Sequence, residues 1–238
     1  MRLSIIIPVY NEEKTVMKLL ERVAKASIPG VEKEVIVIDD GSTDDSASII
    51  SNTKFLISNY KFIRHKKNQG KGAAVRTGIK KATGEYIIIQ DADLEYNPND
   101  IKKLIKPIQQ GRAEVVYGTR LKRLPNFSRD ERTPLFLFHY LGNKFLSIVT
   151  SIMYLQWITD METCYKLFPK KALEDMLLRS RSFEFEPEIT AKLLKKGYKI
   201  VEIPITTTPR DYSEGKKIHA IKDGTLAFWT LLKYRFFD

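Results

Sequence analysis

Apolar residues in the first 120 positions follow two periods, and the periods alternate. Predominantly apolar runs at residues 3–9, 34–38, 86–90 and 113–118 read as strands buried on both faces, with a shorter strand at 62–64. Between them the spacing turns helical. Residues 12–26 place Val16, Leu19, Leu20 and Val23 on one face, and Pro29-Gly30 closes that helix. Thr43 or Asp44 caps a second helix reaching about Ile50, residues 70–82 form a third stopped by Gly84, and Asn97-Pro98 opens a fourth running to about Gln110. Apolar strands alternating with helices predict an α/β fold with a Rossmann-like, mostly parallel central sheet covered by helices on both faces.

The pattern changes after Arg120. Residues 121–134 are basic, carry Pro125 and Pro134, and read as a loop whose Lys122, Arg123, Arg129 and Arg132 face anions. Residues 135–158 form one long apolar helix interrupted by His139 and Lys144. A helix near 188–196 and a strand at 200–205 follow, and residues 216–237 mix basic with aromatic side chains. No repeat appears, and no boundary is sharper than the 121–134 loop. The chain therefore reads as a single domain over 1–238, with halves at 1–120 and 121–238.

Charge and composition narrow the partners. Forty Lys and Arg against 29 Asp and Glu give a net charge of +11, which favours nucleic acid, anionic lipid headgroups or phosphorylated small molecules. The one cysteine, Cys164, excludes an internal disulfide and a zinc site built on several thiolates, and it fits a reducing, cytosolic setting. Pro8 breaks the first apolar run and no small-residue cleavage site follows, so that run is not read as a signal peptide. The longest uncharged run, 145–159, is shorter than the ~20 residues a bilayer-spanning helix needs.

Ligands of open α/β sheets bind at the carboxyl ends of the strands. Four polar clusters fall there. Pro8-Val9-Tyr10-Asn11-Glu12 follows the first strand, and Asp39-Asp40-Gly41-Ser42-Thr43-Asp44 the second. Adjacent carboxylates at the end of an apolar strand need solvent, hydrogen bonds or a bound group. Gln90-Asp91-Ala92-Asp93-Leu94-Glu95 follows the strand at 86–90, and alternation puts Asp91 and Asp93 on one side. Such a pair suits Mg²⁺ or Mn²⁺ shared with phosphate oxygens, and Glu95 offers a third ligand. Gly70-Lys71-Gly72 opens a helix and offers backbone N–H groups to an anion or a base edge. It is neither a P-loop nor a dinucleotide fingerprint. Each cluster alone also reads as a cap or a turn.

Taken together, the four clusters resemble family 2 glycosyltransferases of the GT-A type. The resemblance continues through Gly118-Thr119-Arg120, Asp160 to Lys166, Arg210, and Ser213 to Lys217, and so covers nearly the whole chain. Within the family the sequence looks most like the dolichol- or polyprenyl-phosphate mannose and glucose synthases. The resemblance implies that Pro8, Tyr10 and Glu12 line a nucleotide pocket, that Asp39 accepts from the base, and that Gly70 and Lys71 close over it. Asp91 and Asp93 would hold the ribose side and a Mg²⁺ or Mn²⁺ ion, with Glu95 at a position where the family carries a metal-binding Gln or Glu. Arg120 and Arg210 would face phosphates, and Ser213 and Lys216 the acceptor or diphosphate side. Many members carry Asp-Thr-x-Cys-Gly-Phe-Lys; here Asp160, Cys164 and Lys166 are kept, but the rest reads Met161-Glu162-Thr163 and then Tyr165 in place of Gly-Phe.

The implied reaction is inverting transfer of a hexose from a nucleoside-diphosphate sugar, of the GDP-mannose or UDP-glucose type, to a polyprenyl phosphate. Asp93, Arg120 and Asp160 are the catalytic candidates, Asp160 being the one base candidate against a loop-anchoring role. His219 is a surface residue or a metal ligand. The helix at 135–158 is either a core or dimer helix or lies in the membrane interface, rimmed by the basic loop; with the aromatic tail at 228–237 it predicts amphipathic, interfacial C-terminal helices. The expected location is peripheral, on the cytoplasmic side of the membrane or against a membrane partner protein, with no nucleic acid. A polysaccharide or protein acceptor is the alternative. A sugar nucleotidyltransferase usually has a glycine-rich loop after the first strand, which Pro8-Val9-Tyr10-Asn11 lacks. A nucleic-acid binder leaves the strand-end carboxylates unexplained.

Overall fold

The computed structural model of the chain describes residues 1–53, 57–121, 134–208 and 220–237. The strands are β1 (Arg2–Val9), β2 (Glu32–Asp39), β3 (Tyr60–Arg64), β4 (Tyr86–Ile89), β5 (Val115–Thr119), β6 (Lys166–Pro169) and β7 (Ile200–Pro204). The helices are α1 (Val16–Lys25), α2 (Ser46–Asn52), α3 (Lys71–Lys81), α4 (Ile101–Gln109), α5 (Pro134–Tyr154), α6 (Phe185–Lys195) and α7 (Ala220–Phe236). One seven-stranded sheet has the order β3-β2-β1-β4-β6-β5-β7.

The predominantly apolar runs behave as their pattern demands. Ile5, Ile6 and Ile7 are consecutive and fully buried, as are Val35 to Ile38 and Ile87 to Ile89, so both faces of the central strands are covered. β1 pairs in parallel with β2 and β4, and β2 with β3. From β1 the chain first builds outward to β2 and β3, then returns to place β4 on the other side of β1. That reversal is a topological switch point, and it opens a crevice between the carboxyl ends of β1 and β4.

The second half of the sheet departs from the sequence reading. β6 inserts antiparallel between β4 and β5, with Ile88 opposite Leu167 and Tyr117 opposite Lys166. It is short, and a buried Lys166 begins it. Because β6 runs backwards, its entrance at residue 166 lies at the edge where β4 and β5 end. The 155–165 connection is thereby delivered to the crevice. The predicted helix at 135–158 ends at Tyr154, and the one expected from residue 12 begins at Val16. The second helix is N-capped at Asp45, while Asp44 accepts from the N–H groups of Ser46 (3.0 Å) and Glu13 (3.1 Å). The basic positions 122–133, together with Arg210, Ser213, Lys216 and His219, lie outside the described residues.

Candidate active site

A cavity of about 740 Å³ occupies the switch point. Pro8, Tyr10 and Glu12 line it from the end of β1, Gly70 and Lys71 from the start of α3, Asp91, Asp93 and Glu95 from the end of β4, and Arg120 from the end of β5. Every donor-side residue expected from the sequence is therefore on one wall system except Asp39. Asp39 is fully buried and off the wall; its Oδ1 accepts from the Ser42 N–H (3.0 Å), and Arg64 Nε stands 2.9 Å from its Oδ2.

Its neighbour Asp40 lines the cavity instead. Asp40 accepts from the backbone N–H groups of Gln69 (3.0 Å) and Gly70 (2.7 Å), and its Oδ1 lies 2.6 Å from His65 Nδ1. His65 is braced in turn by Thr77, 2.9 Å from its Nε2. Asp40 thus ties the β2 end to the glycine turn and consumes the Gly70 N–H. The glycines themselves answer to close packing by a distant segment. Gly70 has φ +95°, and a Cβ there would lie 2.2 Å from the Arg181 carbonyl oxygen. Gly72 leaves room for the Ser180 and Ser182 carbonyls. Gly70→Ala is expected to cost more than about 1 kcal/mol of stability and to weaken nucleotide binding, read from urea unfolding and titration calorimetry.

Charges alternate along the cavity floor. Lys71 Nζ lies 2.8 Å from Asp91 Oδ1 and 3.4 Å from Glu186 Oε1, and Glu186 Oε2 lies 2.6 Å from the buried Lys166 Nζ. Burial alone lowers the Lys71 pKa, but the Asp91 and Glu186 carboxylates outweigh it and hold the ammonium well above the ordinary lysine range. Asp93 Oδ1 accepts from the Glu95 N–H (3.1 Å). Leu94 between them has φ +65°, a strained turn for a non-glycine residue at the tip of the acidic segment.

Arg120 is fixed by Asp160. Its backbone N–H and its Nε both donate to Asp160 Oδ2 at 2.8 Å, and a terminal nitrogen donates to Oδ1 at 2.8 Å. Asp160 is fully buried, does not line the cavity, and has its own N–H held by Glu202 of β7 at 3.0 Å. In this arrangement the Asp160 carboxylate holds the Arg120 guanidinium in place. Burial disfavours the Arg120 cation, but Asp160 more than compensates and keeps it charged.

The far wall is largely apolar, with His139 and Asn143 of α5 and Asp223 and Thr225 of α7 set among its apolar residues. Phe138, Phe145 and Leu146 of α5 and Phe228 of α7 line the same cavity. α5 is inside out for a helix in water. Its inward side carries Leu146 with the small hydroxyl residues Ser147, Thr150 and Ser151, whose hydroxyls donate to carbonyls one turn back. Its outward stripe is Leu141, Phe145, Ile148 and Ile152, all exposed. Phe145 and Phe228 stack at 6.3 Å, and Trp229 beside them is 63% exposed, so the apolar face continues onto α7.

Metal fit follows from the donor set. Among the described residues no three His, Cys, Asp or Glu groups converge as a self-sufficient metal cluster. Asp91 and Asp93 supply hard oxygens on one wall, which suits an ion that takes one or two carboxylates and completes its shell with substrate phosphate oxygens and water. Mg²⁺ and Mn²⁺ fit that description.

Several lining residues were not assigned a role from sequence: Asp40, Glu162, Phe183 and Glu186. Glu186 stands in the acid-rich opening of α6, Phe-Glu-Phe-Glu-Pro-Glu, where a helix start favours negative charge. Cys164 also lines the wall, but burial, with Asp91 adding to it, pushes its pKa well up and keeps it an unreactive thiol.

Comparison with known proteins agrees with this architecture. Residues 4–177 match the family model described as glycosyl transferase family 2. The UDP-N-acetylglucosamine–dolichyl-phosphate N-acetylglucosaminyltransferase of Methanococcus voltae is 30% identical, over 96% of this chain and 94% of its own. A dolichyl-phosphate beta-glucosyltransferase of Trichomonas vaginalis is 28% identical over 85% of this chain and 62% of its own. The crystal structure of glucosyl-3-phosphoglycerate synthase from Mycobacterium tuberculosis, in complex with Mn²⁺, UDP and glucosyl-3-phosphoglycerate, superposes with a TM-score of 0.71 at 18% identity, covering 98% of this chain and 79% of that one. That likeness carries the GT-A fold. With most of its length inside the family match, the chain belongs to glycosyl transferase family 2 and is a nucleotide-sugar-dependent glycosyltransferase.

Proposed function

We propose that the protein transfers a hexosyl group from a nucleoside-diphosphate sugar to a polyprenyl phosphate, with inversion at the anomeric carbon, at the cytoplasmic surface of a membrane. The carrying observation is the two-natured cavity. One wall is the charged switch-point edge, the other is largely apolar helix with a few polar side chains, and that helix continues into an exposed apolar face. A polar donor and a lipid-linked acceptor need such a meeting place. Two relatives bear dolichyl-phosphate in their names, which supports the same reading.

In this reading Tyr10, Glu12 and the Gly70 turn receive the nucleoside, and Arg120 faces a phosphate. Arg210, Ser213 and Lys216 are assigned to the acceptor or diphosphate side on the family pattern. Asp91 and Asp93, with Glu95 beside them, would hold the Mg²⁺ or Mn²⁺ ion, which when bound offsets charge on the leaving diphosphate. Lys71 and Arg120 stay cationic and add to that compensation. A phosphate oxygen of the acceptor attacks the anomeric carbon as the bond to the donor's β-phosphate breaks. A phosphate monoester has its second pKa near about 6 and is already largely ionised at neutral pH, so no side chain need remove a proton. Asp160 then has no base to be, consistent with its burial behind Arg120.

Membrane docking rests on the outward stripe of α5 and on α7. No described helix is long and apolar enough to cross a bilayer, so the stripe is read as lying in the interface. Net charge of +11 favours anionic headgroups. Leu141→Ser with Trp229→Ser is expected to weaken binding to phosphatidylglycerol-containing vesicles by at least about tenfold, from the burial worth of two large side chains. Sedimentation with vesicles checks this. Unchanged binding rejects the docking face. The donor is tested by thermal shift with UDP-sugars and GDP-mannose, each with Mn²⁺, Mg²⁺ or a chelator. One donor is expected to raise Tm only with metal; no shift with any donor overturns the reading.

A further inference from the structure

Glu162 sits on the cavity wall with one carboxylate oxygen unaccounted for. Its Oε1 is buried and has no hydrogen-bond partner among the described residues. The chain around it is clamped. Asp160 is held by Arg120 and Glu202, the Met161 N–H donates to Ser147 Oγ (3.0 Å), and the Cys164 N–H donates to the Tyr96 hydroxyl (3.1 Å). The side chain therefore extends from a rigid base and is not a floppy loop carboxylate.

An ion-pair role does not explain it. The neighbouring cations already have partners: Lys166 is bound to Glu186 and to the Met161 and Thr163 carbonyls, and Arg120 is paired with Asp160 at both ends. The neighbouring anions, Glu186 and Asp160, only disfavour its charge. Burial, with Glu186 and Asp160 adding to it against Lys166 and Arg120, pushes the Glu162 pKa up to about 7. A buried carboxylate oxygen without a partner costs stability unless a ligand supplies the missing donor.

Position says what that donor is. The 155–165 connection reaches the cavity between the ends of β4 and β5, with Asp91 and Asp93 on one side and Arg120 on the other. Ionised phosphates carry no donors and are repelled by a carboxylate. The nucleoside end lies at the β1 and β2 edge, and the apolar wall belongs to α5 and α7. What remains between them, rich in hydroxyl donors, is the sugar itself. Resting on the glycosyltransferase reading above, we infer that Glu162 accepts hydroxyl protons from the transferred hexose and thereby selects which hexose the enzyme moves.

The test compares free nucleotide with intact donor. Calorimetric titration of UDP and GDP, and of UDP-glucose, UDP-N-acetylglucosamine and GDP-mannose, is made in Mn²⁺ on wild type, Glu162→Gln and Glu162→Ala. Both variants are expected to bind the free nucleoside diphosphate within about twofold of wild type. Glu162→Ala is expected to bind the matching donor at least about tenfold more weakly, the worth of one lost hydrogen bond to a charged group, and Glu162→Gln to recover part of the loss through its amide oxygen. A parallel fall for nucleotide and donor, or no fall for either, overturns the inference. A wild type that binds no nucleotide overturns the donor assignment beneath it, which is a distinct result. Because Glu162→Gln keeps the size and shape of the side chain, its unchanged or higher Tm shows that the fold is intact.

Discussion

Arg120→Ala is expected to destabilise the protein by about 3–5 kcal/mol, well beyond the loss of an exposed charge. The reason is what it leaves behind. Asp160 is fully buried and takes three hydrogen bonds from this one arginine, at 2.8 Å each, one of them from its backbone. Removing the guanidinium strands a carboxylate in an apolar site with only a backbone donor. The pair Arg120→Met with Asp160→Leu is expected to recover much of the stability, because an ion pair replaced by packed apolar groups is often neutral. It is not expected to recover activity, since in the proposed reading Arg120 is the cation that faces a phosphate. Urea unfolding with a transfer assay on the same three proteins separates the two effects. If Arg120→Ala is as stable as wild type, the pair is not the anchor described here.

Asp93→Ala is the complementary case, with a large effect on chemistry and a small one on folding. Asp91 is the less informative target, because it is also the partner of Lys71 at 2.8 Å, and its removal disturbs the charge chain through Glu186 to Lys166. Asp93 lines the same wall and is not one of the carboxylates bound to Lys71 or Lys166. Its loss is expected to lower transfer by about 10²–10³-fold, the scale of losing one preorganised electrostatic contribution, here through the metal it would hold. The metal-dependent rise in Tm with donor should vanish, while Tm without ligand moves little. An unchanged metal-dependent shift in Asp93→Ala would place the metal elsewhere.

How much of this was readable in advance depends on the range of the interaction. β1, β2 and β4 are legible because strands buried on both faces must be apolar without interruption, and Ile5 to Ile7 show it locally. β6 is not, because it is four residues long, starts with a buried lysine, and exists only through pairing with β4 and β5. The clusters at the strand ends could be located from spacing. Which carboxylate faces the ligand could not. Asp39 and Asp40 are adjacent, and the outcome is decided by the 65–70 segment, which turns its N–H groups onto Asp40. Gly70 and Gly72 announce a tight place, but the segment that crowds them, 180–182, is more than a hundred residues away in the chain. Glu162 and Glu186 were unassigned for the same reason, since each reaches the cavity from a remote connection. The apolarity of α5 was plain, whereas its inverted faces emerge only once Ser147, Thr150 and Ser151 are seen pointing inward.

The central claim is that the cavity joins a nucleotide-bound hexose to a lipid phosphate. The most direct measurement is transfer of radiolabelled hexose from UDP-glucose, UDP-N-acetylglucosamine and GDP-mannose, with Mg²⁺ or Mn²⁺, to polyprenyl phosphate in vesicles, followed by organic-phase extraction. One donor should carry label into the organic phase, only with metal and only when the lipid phosphate is present. Label that stays in water with every donor, while a soluble acceptor is glycosylated, would contradict the account.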